Sequence, residues 1–111
     1  MEFRFLYITA GTPEEAHKIA EAVVGERLAA CANVIKGMES VYWWQGKLTR
    51  DQETVLILKT RAELVEACAA RVKSLHSYSC PCIVALPIVA GNPPYLAWLE
   101  QETAAKTTAA P

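Results

Sequence analysis

The stretch HSYSCPC, residues 76 to 82, gathers an imidazole, a phenol and two thiols around one proline. Cys80 and Cys82 are two positions apart, so in an extended segment their side chains fall on one side, and thiolates are soft ligands suited to Cu(I) or Zn. His76 lies four positions before Cys80, across a turn, and is within reach as a third ligand. The spacing C-x-C is nevertheless a weaker metal signal than paired C-x-x-C knuckles, and a structural zinc site shows four ligands at recognisable spacing. Free cysteine is also among the residues most often simply buried, so packing stands beside metal binding as a reading of the pair. Likewise His76, near the end of a helix, suits capping of carbonyls in the C-terminal dipole as well as ligation.

The other residues with chemical potential are scattered. Cys31 opens a strand and reads either as a small buried hydrophobe or as a further thiol ligand, whereas Cys68 falls on an apolar helical stripe and belongs to the core. Adjacent Trp43 and Trp44 face opposite sides of a strand, so they cannot form one platform; each covers a different surface, with Trp98 closing a sheet edge. Tyr78 reads as an interface aromatic with a satisfied hydroxyl. Glu53 and Lys59, at the two ends of one strand, would on their own be solvated charges. No G-x-S-x-G elbow, phosphate-cradling P-loop or H-E-x-x-H helix occurs, and His17 sits among charged residues. The expectation is a protein that is not an enzyme.

The elements that would position these residues follow from the hydrophobic period. FRFLYIT places Phe3, Phe5 and Tyr7 on one side of a strand and Leu6 and Ile8 on the other. At Thr12 the period changes: TPEE supplies a hydroxyl N-cap, a proline at the first helical position and Glu15 to reach back to the cap amide, and Ala16, Ile19, Ala20 and Val23 form one buried stripe. CANVI, Cys31 to Ile35, then reads as a strand. The same order recurs downstream. ETVLILKT is a strand over Glu53 to Thr60, TRAE from Thr60 is a second capping box, and Leu64, Cys68, Val72 and Leu75 share a helical stripe. CIVALPI, Cys82 to Ile88, is the strand after it. Between the halves SVYWWQGKL supplies strand formers and a Gln45-Gly46 turn, which makes the second and third strands an antiparallel hairpin.

Strand, helix, strand, used twice and joined by a hairpin, predicts an α+β fold, the ferredoxin-like split βαβ sandwich: an antiparallel sheet with two helices on one face. The strands VLIL and IVAL are apolar on both sides, so the other face requires a cover, most simply another subunit. NPPYLAWLEQE is spaced for a last short helix through Tyr95, Trp98 and Leu99, which closes a single domain at residue 103; the tail 104–111 has no periodic apolar face and should fray.

Composition excludes several classes. Eleven Lys and Arg against twelve Asp and Glu leave a net charge of −1 in 111 residues, with no basic stripe for nucleic acid. The longest apolar run, Cys82 to Ala90, is broken by Pro87 and is far short of the roughly 20 residues of a membrane span. The start lacks a basic n-region, and four cysteines at irregular spacings read as reduced thiols, so a cytoplasmic location is expected.

Several segments together resemble one family. ERLAACANV, SVYWWQGKL, LILKT, H-x-Y-x-x-P, IVALPI and GNPPYLAWL, in this order, are similar to the CutA divalent-cation tolerance proteins. The resemblance implies a ferredoxin-like subunit in a homotrimer similar in plan to the PII signalling proteins. It also implies tolerance of divalent cations, with copper or a similar metal ion bound, and no established reaction. The alternative that it implies is a PII-like scaffold holding a small metabolite or partner protein in inter-subunit clefts. On this resemblance Glu53 and Lys59 match polar positions lining those clefts, Cys31 matches the family's AAC, and His76, Tyr78 and Pro81 match its H-x-Y-x-x-P. The usual family pattern at that last segment is close to HPYEVPEI, and this chain departs from it. Ser77 replaces the proline, Ser79 and Cys82 replace glutamates, and Cys80 replaces a small apolar residue. The expected metal ligands are therefore Cys31, His76, Cys80 and Cys82, in a site softened from carboxylate toward thiol.

Overall fold

The computed structural model describes residues 1–103, so the expected tail at 104–111 lies outside the described residues. The chain runs β1 (Phe3–Ala10), α1 (Pro13–Gly25), β2 (Cys31–Trp44), β3 (Lys47–Arg61), a 3-10 turn (Ala62–Leu64), α2 (Val65–Leu75), β4 (Ile83–Ile88) and α3 (Pro93–Glu102). The strands form one antiparallel sheet in the order β2-β3-β1-β4, which is the ferredoxin-like arrangement. None of the described helices is long and apolar enough to cross a membrane.

Side-chain alternation divides the sheet into two faces. Leu6, Ile8 and Ala10 of β1 and Leu56 and Leu58 of β3 pack against Ala16, Ile19, Ala20 and Val23 of α1 and Cys68 and Val72 of α2. Burying these side chains stabilises the fold by about 1.5–3 kcal/mol for each large aliphatic residue. The helix stripe read from the sequence is right for α1. In α2 Cys68 and Val72 are buried and Leu75 packs half-buried against the same core, while Leu64 lies in the 3-10 turn before the helix.

α1 starts as its sequence demands, with Thr12 Oγ1 accepting from the Glu15 amide at 3.2 Å. The Glu15 carboxylate does not turn back to the cap, as a full capping box would require, because Ser77 holds it instead. The helix ends in a Schellman motif: the Leu28 amide donates to Val23 O and the Arg27 amide to Val24 O, with Arg27 in the left-handed region at φ 65°. The second capping box is absent. Thr60 belongs to β3 and spends its hydroxyl on the Leu28 carbonyl at 2.6 Å, so α2 is entered through the 3-10 turn without a side-chain cap. Tertiary demand for a donor at Leu28 outweighs the local cap.

The two strand segments CANVI and SVYWW are one strand, continuous through a bulge. Ile35 pairs with Val55 and Met38 with Glu53, so Lys36 and Gly37 oppose only Thr54. Gly37 carries φ +79°, the left-handed conformation such a bulge uses. Beyond it, Gln45 and Gly46 at φ 50° and +79° make the two-residue turn that joins Trp44 to Lys47. α3 lies against the end of β3: the Arg61 guanidinium donates to Thr103 Oγ1 and Glu100 O, and Leu99 is buried.

Opposite α1 and α2 the sheet carries Phe5, Tyr7, Ile57, Val84 and Leu86, and the last two are exposed. Ile35, Val41, Trp43 and Leu48 on the hairpin are exposed as well. The expected apolar second face is therefore present in the chain. A β-carbon at Gly37 would meet no atom within 4 Å, so any cost of replacing it is conformational alone. Gly37→Ala should lose about 1–2 kcal/mol of stability in urea denaturation, the penalty of a left-handed L-residue; an unchanged midpoint would mean that the bulge does not depend on this backbone conformation.

Candidate functional site

A cleft of about 660 Å3 opens on the face opposite α1 and α2. Its walls come from β1 (Tyr7, Thr9), β2 (Met38, Ser40, Val41, Tyr42, Trp44), β3 (Asp51, Glu53) and the α2–β4 segment (Tyr78, Ser79, Cys80, Cys82). The bulge decides which β2 residues face it. Before the bulge, Ala32 and Val34 pack on the helix side; after it, Met38, Ser40, Tyr42 and Trp44 share the side of Glu53 and Asp51. Without the extra residue, the odd positions of β2, Trp43 among them, would face that side instead.

The α2–β4 segment is held by His76, whose side chain is fully buried. A carbonyl can only accept, so His76 Nε2–H donates to Thr9 O at 2.8 Å, and Nδ1 is left to accept the Tyr78 amide at 3.1 Å. Glu15 closes the arrangement, taking the Ser77 amide at 2.8 Å and its hydroxyl at 2.7 Å, with one oxygen 3.2 Å from His76 Nδ1. Ser77, one of the departures from the family pattern, thus supplies two donors to a carboxylate on α1. The Tyr78 ring lies 4.7 Å from the imidazole, and its hydroxyl donates to Glu53 Oε2 at 2.9 Å.

The electrostatics of the cleft are one-sided. Among its described lining residues there is no lysine, arginine or histidine, against two carboxylates. Burial, then the hydrogen bond and charge of Glu53, push the Tyr78 phenol well above its usual range, so it remains a donor. Burial and then the charges of Asp51 and Glu53 raise Tyr42, whose hydroxyl reaches Asp51 Oδ2 at 3.4 Å. The Cys82 thiol is pushed up by burial and by Glu53. Away from the cleft, burial alone takes Cys68 to about 12, as expected of an inert core thiol.

The residues singled out in the sequence separate into groups. Trp44, Glu53, Tyr78, Cys80 and Cys82 line the cleft, and His76 stands behind it with both ring nitrogens engaged. Cys31, which pairs with Lys59 at the far end of the sheet, is not among the lining residues. Lys59 Nζ sits 3.4 Å from the Tyr95 hydroxyl and 5.6 Å from its ring centre, and Tyr95 in turn packs on Trp98 at 5.5 Å. Trp43 projects from the other side of the hairpin, 71% exposed. The four expected ligands are not brought together, and among the described residues no three His, Cys, Asp or Glu side chains are placed to hold a metal ion. Of the four expected ligands, Cys80 and Cys82 are the two that line the cleft. Tyr7, Met38, Tyr42 and Asp51 were not singled out, although counting outward from the Gln45-Gly46 turn places Tyr42 and Asp51 on the side of Glu53.

A ferredoxin-like chain with an acidic, aromatic and thiol-bearing cleft is the class that fold and site define. The family model of the CutA1 divalent ion tolerance protein matches residues 4–102. The divalent-cation tolerance protein CutA of Thermus thermophilus is 49% identical over 96 residues, 86% of this chain and 93% of that protein. The chloroplastic CutA 1 of rice is 45% identical over 98 residues, 88% of this chain, which spans only 55% of the rice protein. Among solved structures, that of the Thermus thermophilus protein superposes with a TM-score of 0.89 at 46% identity, covering 92% of this chain and 99% of the other. The rice CutA1 structure gives 0.90 at 40% identity over 96% of each chain. The chain belongs to the CutA divalent-cation tolerance family.

The Glu53 carboxylate disfavours a negative thiolate beside it, so Glu53→Gln should lower the Cys82 pKa and speed alkylation of Cys82 by iodoacetamide at pH 8, read by peptide mass spectrometry. An equal or slower rate would remove Glu53 as a cause of the raised thiol.

Proposed function

We propose that this protein acts in divalent-cation tolerance by binding copper or a similar soft metal ion through Cys80 and Cys82, as a non-enzymatic part of a metal-ion response. The observation that carries this reading is that both thiols line one cleft, in a chain whose family is named for divalent ion tolerance. Thiolates favour soft ions such as Cu(I), and a two-coordinate ion needs no third ligand, which suits a subunit with no larger donor set among its described residues. Binding deprotonates the thiols, so the raised Cys82 pKa makes affinity increase with pH. His76 supports the site by holding the α2–β4 segment, and Cys31 remains a candidate ligand away from the pair.

In this reading three subunits assemble as a PII-like homotrimer, which covers the exposed Val84 and Leu86 and the hairpin residues Val41, Trp43 and Leu48. Trp98 and Lys59, at the α3 end, become interface residues. The four free cysteines suit a reducing, cytoplasmic setting.

Reduced protein titrated with Cu(I) against a competing chelator should bind near-stoichiometric metal per subunit, and Cys80→Ser or Cys82→Ser should weaken it by about tenfold or more, at least 1.4 kcal/mol. Unchanged affinity in both variants would take the pair out of the site. Light scattering on gel-filtered protein should give three times the 12.2 kDa chain mass; a stable monomer at micromolar concentration would contradict the assembly.

A further inference from the structure

Cys80 ends a stretch of chain that no helix or strand holds, and Cys82 stands just before β4. Residues 77–81 lie between α2 and β4 outside both elements. Among the described residues, the hydrogen bonds that fix this stretch within the chain all run to side chains. The Tyr78 amide donates to His76 Nδ1 and the Tyr78 hydroxyl to Glu53 Oε2, while the Ser77 amide and hydroxyl donate to the two oxygens of Glu15.

Glu15 belongs to α1, across the sheet from the cleft. It receives both donors of one residue, at 2.8 and 2.7 Å, and its side chain is only 16% exposed. Hydrogen bonds to a charged acceptor are stronger than neutral ones, and partial burial limits the competition from water. Cys80 follows Ser77 by three residues and Cys82 by five, with the fixed backbone angle of Pro81 between them. A shift of Ser77 therefore carries to both sulfurs, because so short a run has little slack to absorb it.

We infer that Glu15 is a positioning residue for Cys80 and Cys82: through Ser77 it ties the thiol-bearing segment to α1, and the arrangement that binds metal depends on that tie. The inference rests on the thiol-site reading. A ligand's apparent affinity falls with the fraction of molecules in the competent arrangement, so breaking a tie that touches neither thiol weakens metal binding.

Hydrogen–deuterium exchange of the assembled, metal-free protein, read peptide by peptide, tests the tie. Exchange across residues 76–82 should quicken about tenfold in Glu15→Gln and in Ser77→Ala, with β1 and β3 unchanged. Cu(I) affinity, measured against a competing chelator, should fall about fivefold in each variant. It should stay at the wild-type value in Ser77→Thr, which keeps the hydroxyl, and fall in the double variant Glu15→Gln, Ser77→Ala by less than the product of the single effects. The inference is overturned by wild-type exchange in both single variants, by unchanged Cu(I) affinity despite faster exchange, by effects that multiply, or by a Ser77→Thr variant as weak as Ser77→Ala. Quickened exchange throughout β1 and β3 would also overturn it, since Glu15 would then serve the fold as a whole. If Cys80→Ser and Cys82→Ser both leave Cu(I) affinity unchanged, the thiol-site reading is what falls, and the exchange rates still uphold or overturn the tie.

Discussion

Two residues of β2 facing one residue of β3 set the chemistry of this protein. Lys36 and Gly37 oppose Thr54, and the offset moves every later side chain of β2 to the other face. Strand alternation has a strict period of two, so one extra residue turns Tyr42 and Trp44, and not Trp43, toward the cleft. The hairpin turn at Gln45-Gly46 then brings Asp51 and Glu53 back along the same side. Acid and aromatic side chains meet because two backbone irregularities, both in left-handed conformations, keep the long hairpin in this register.

The opposite wall depends on a second device, the buried imidazole of His76. It joins the end of β1 to the segment after α2 through Thr9 O and the Tyr78 amide, while Glu15 on α1 grips Ser77. Tyr78 is thereby presented to Glu53, and Cys80 and Cys82 follow it along the cleft rim. A polar latch between three elements supports a site whose charged lining side chains among the described residues, Asp51 and Glu53, carry one sign. The same latch explains why His76, attractive as a ligand in the sequence, has no ring nitrogen to spare in this arrangement.

Much of the fold was legible because it rests on period and capping. The β1 alternation, the α1 stripe from Ala16 to Val23 with its Thr12 cap, the hairpin turn and α3 are all local patterns, and each element forms where they indicate. The misread features are those in which a distant group competed for a local one. Thr60 looks like a cap, but Leu28 O, folded beside it, takes the hydroxyl. Glu15 looks like half of a capping box, but Ser77 offers it two donors. Within one chain Cys31 and Cys82 stand near opposite edges of the sheet, a separation that linear spacing does not encode.

By itself the sequence determined the strand and helix order, the family, and the presence of a thiol pair where relatives of the usual pattern carry carboxylate. These are properties of local period and residue identity, which act over a few neighbouring positions. Only the tertiary structure decided which side chains share the cleft, that its lining holds carboxylates without a cation, and that His76 is a strut. Those facts depend on register across the β2 bulge and on contacts such as Tyr78 with Glu53, between residues far apart in the chain.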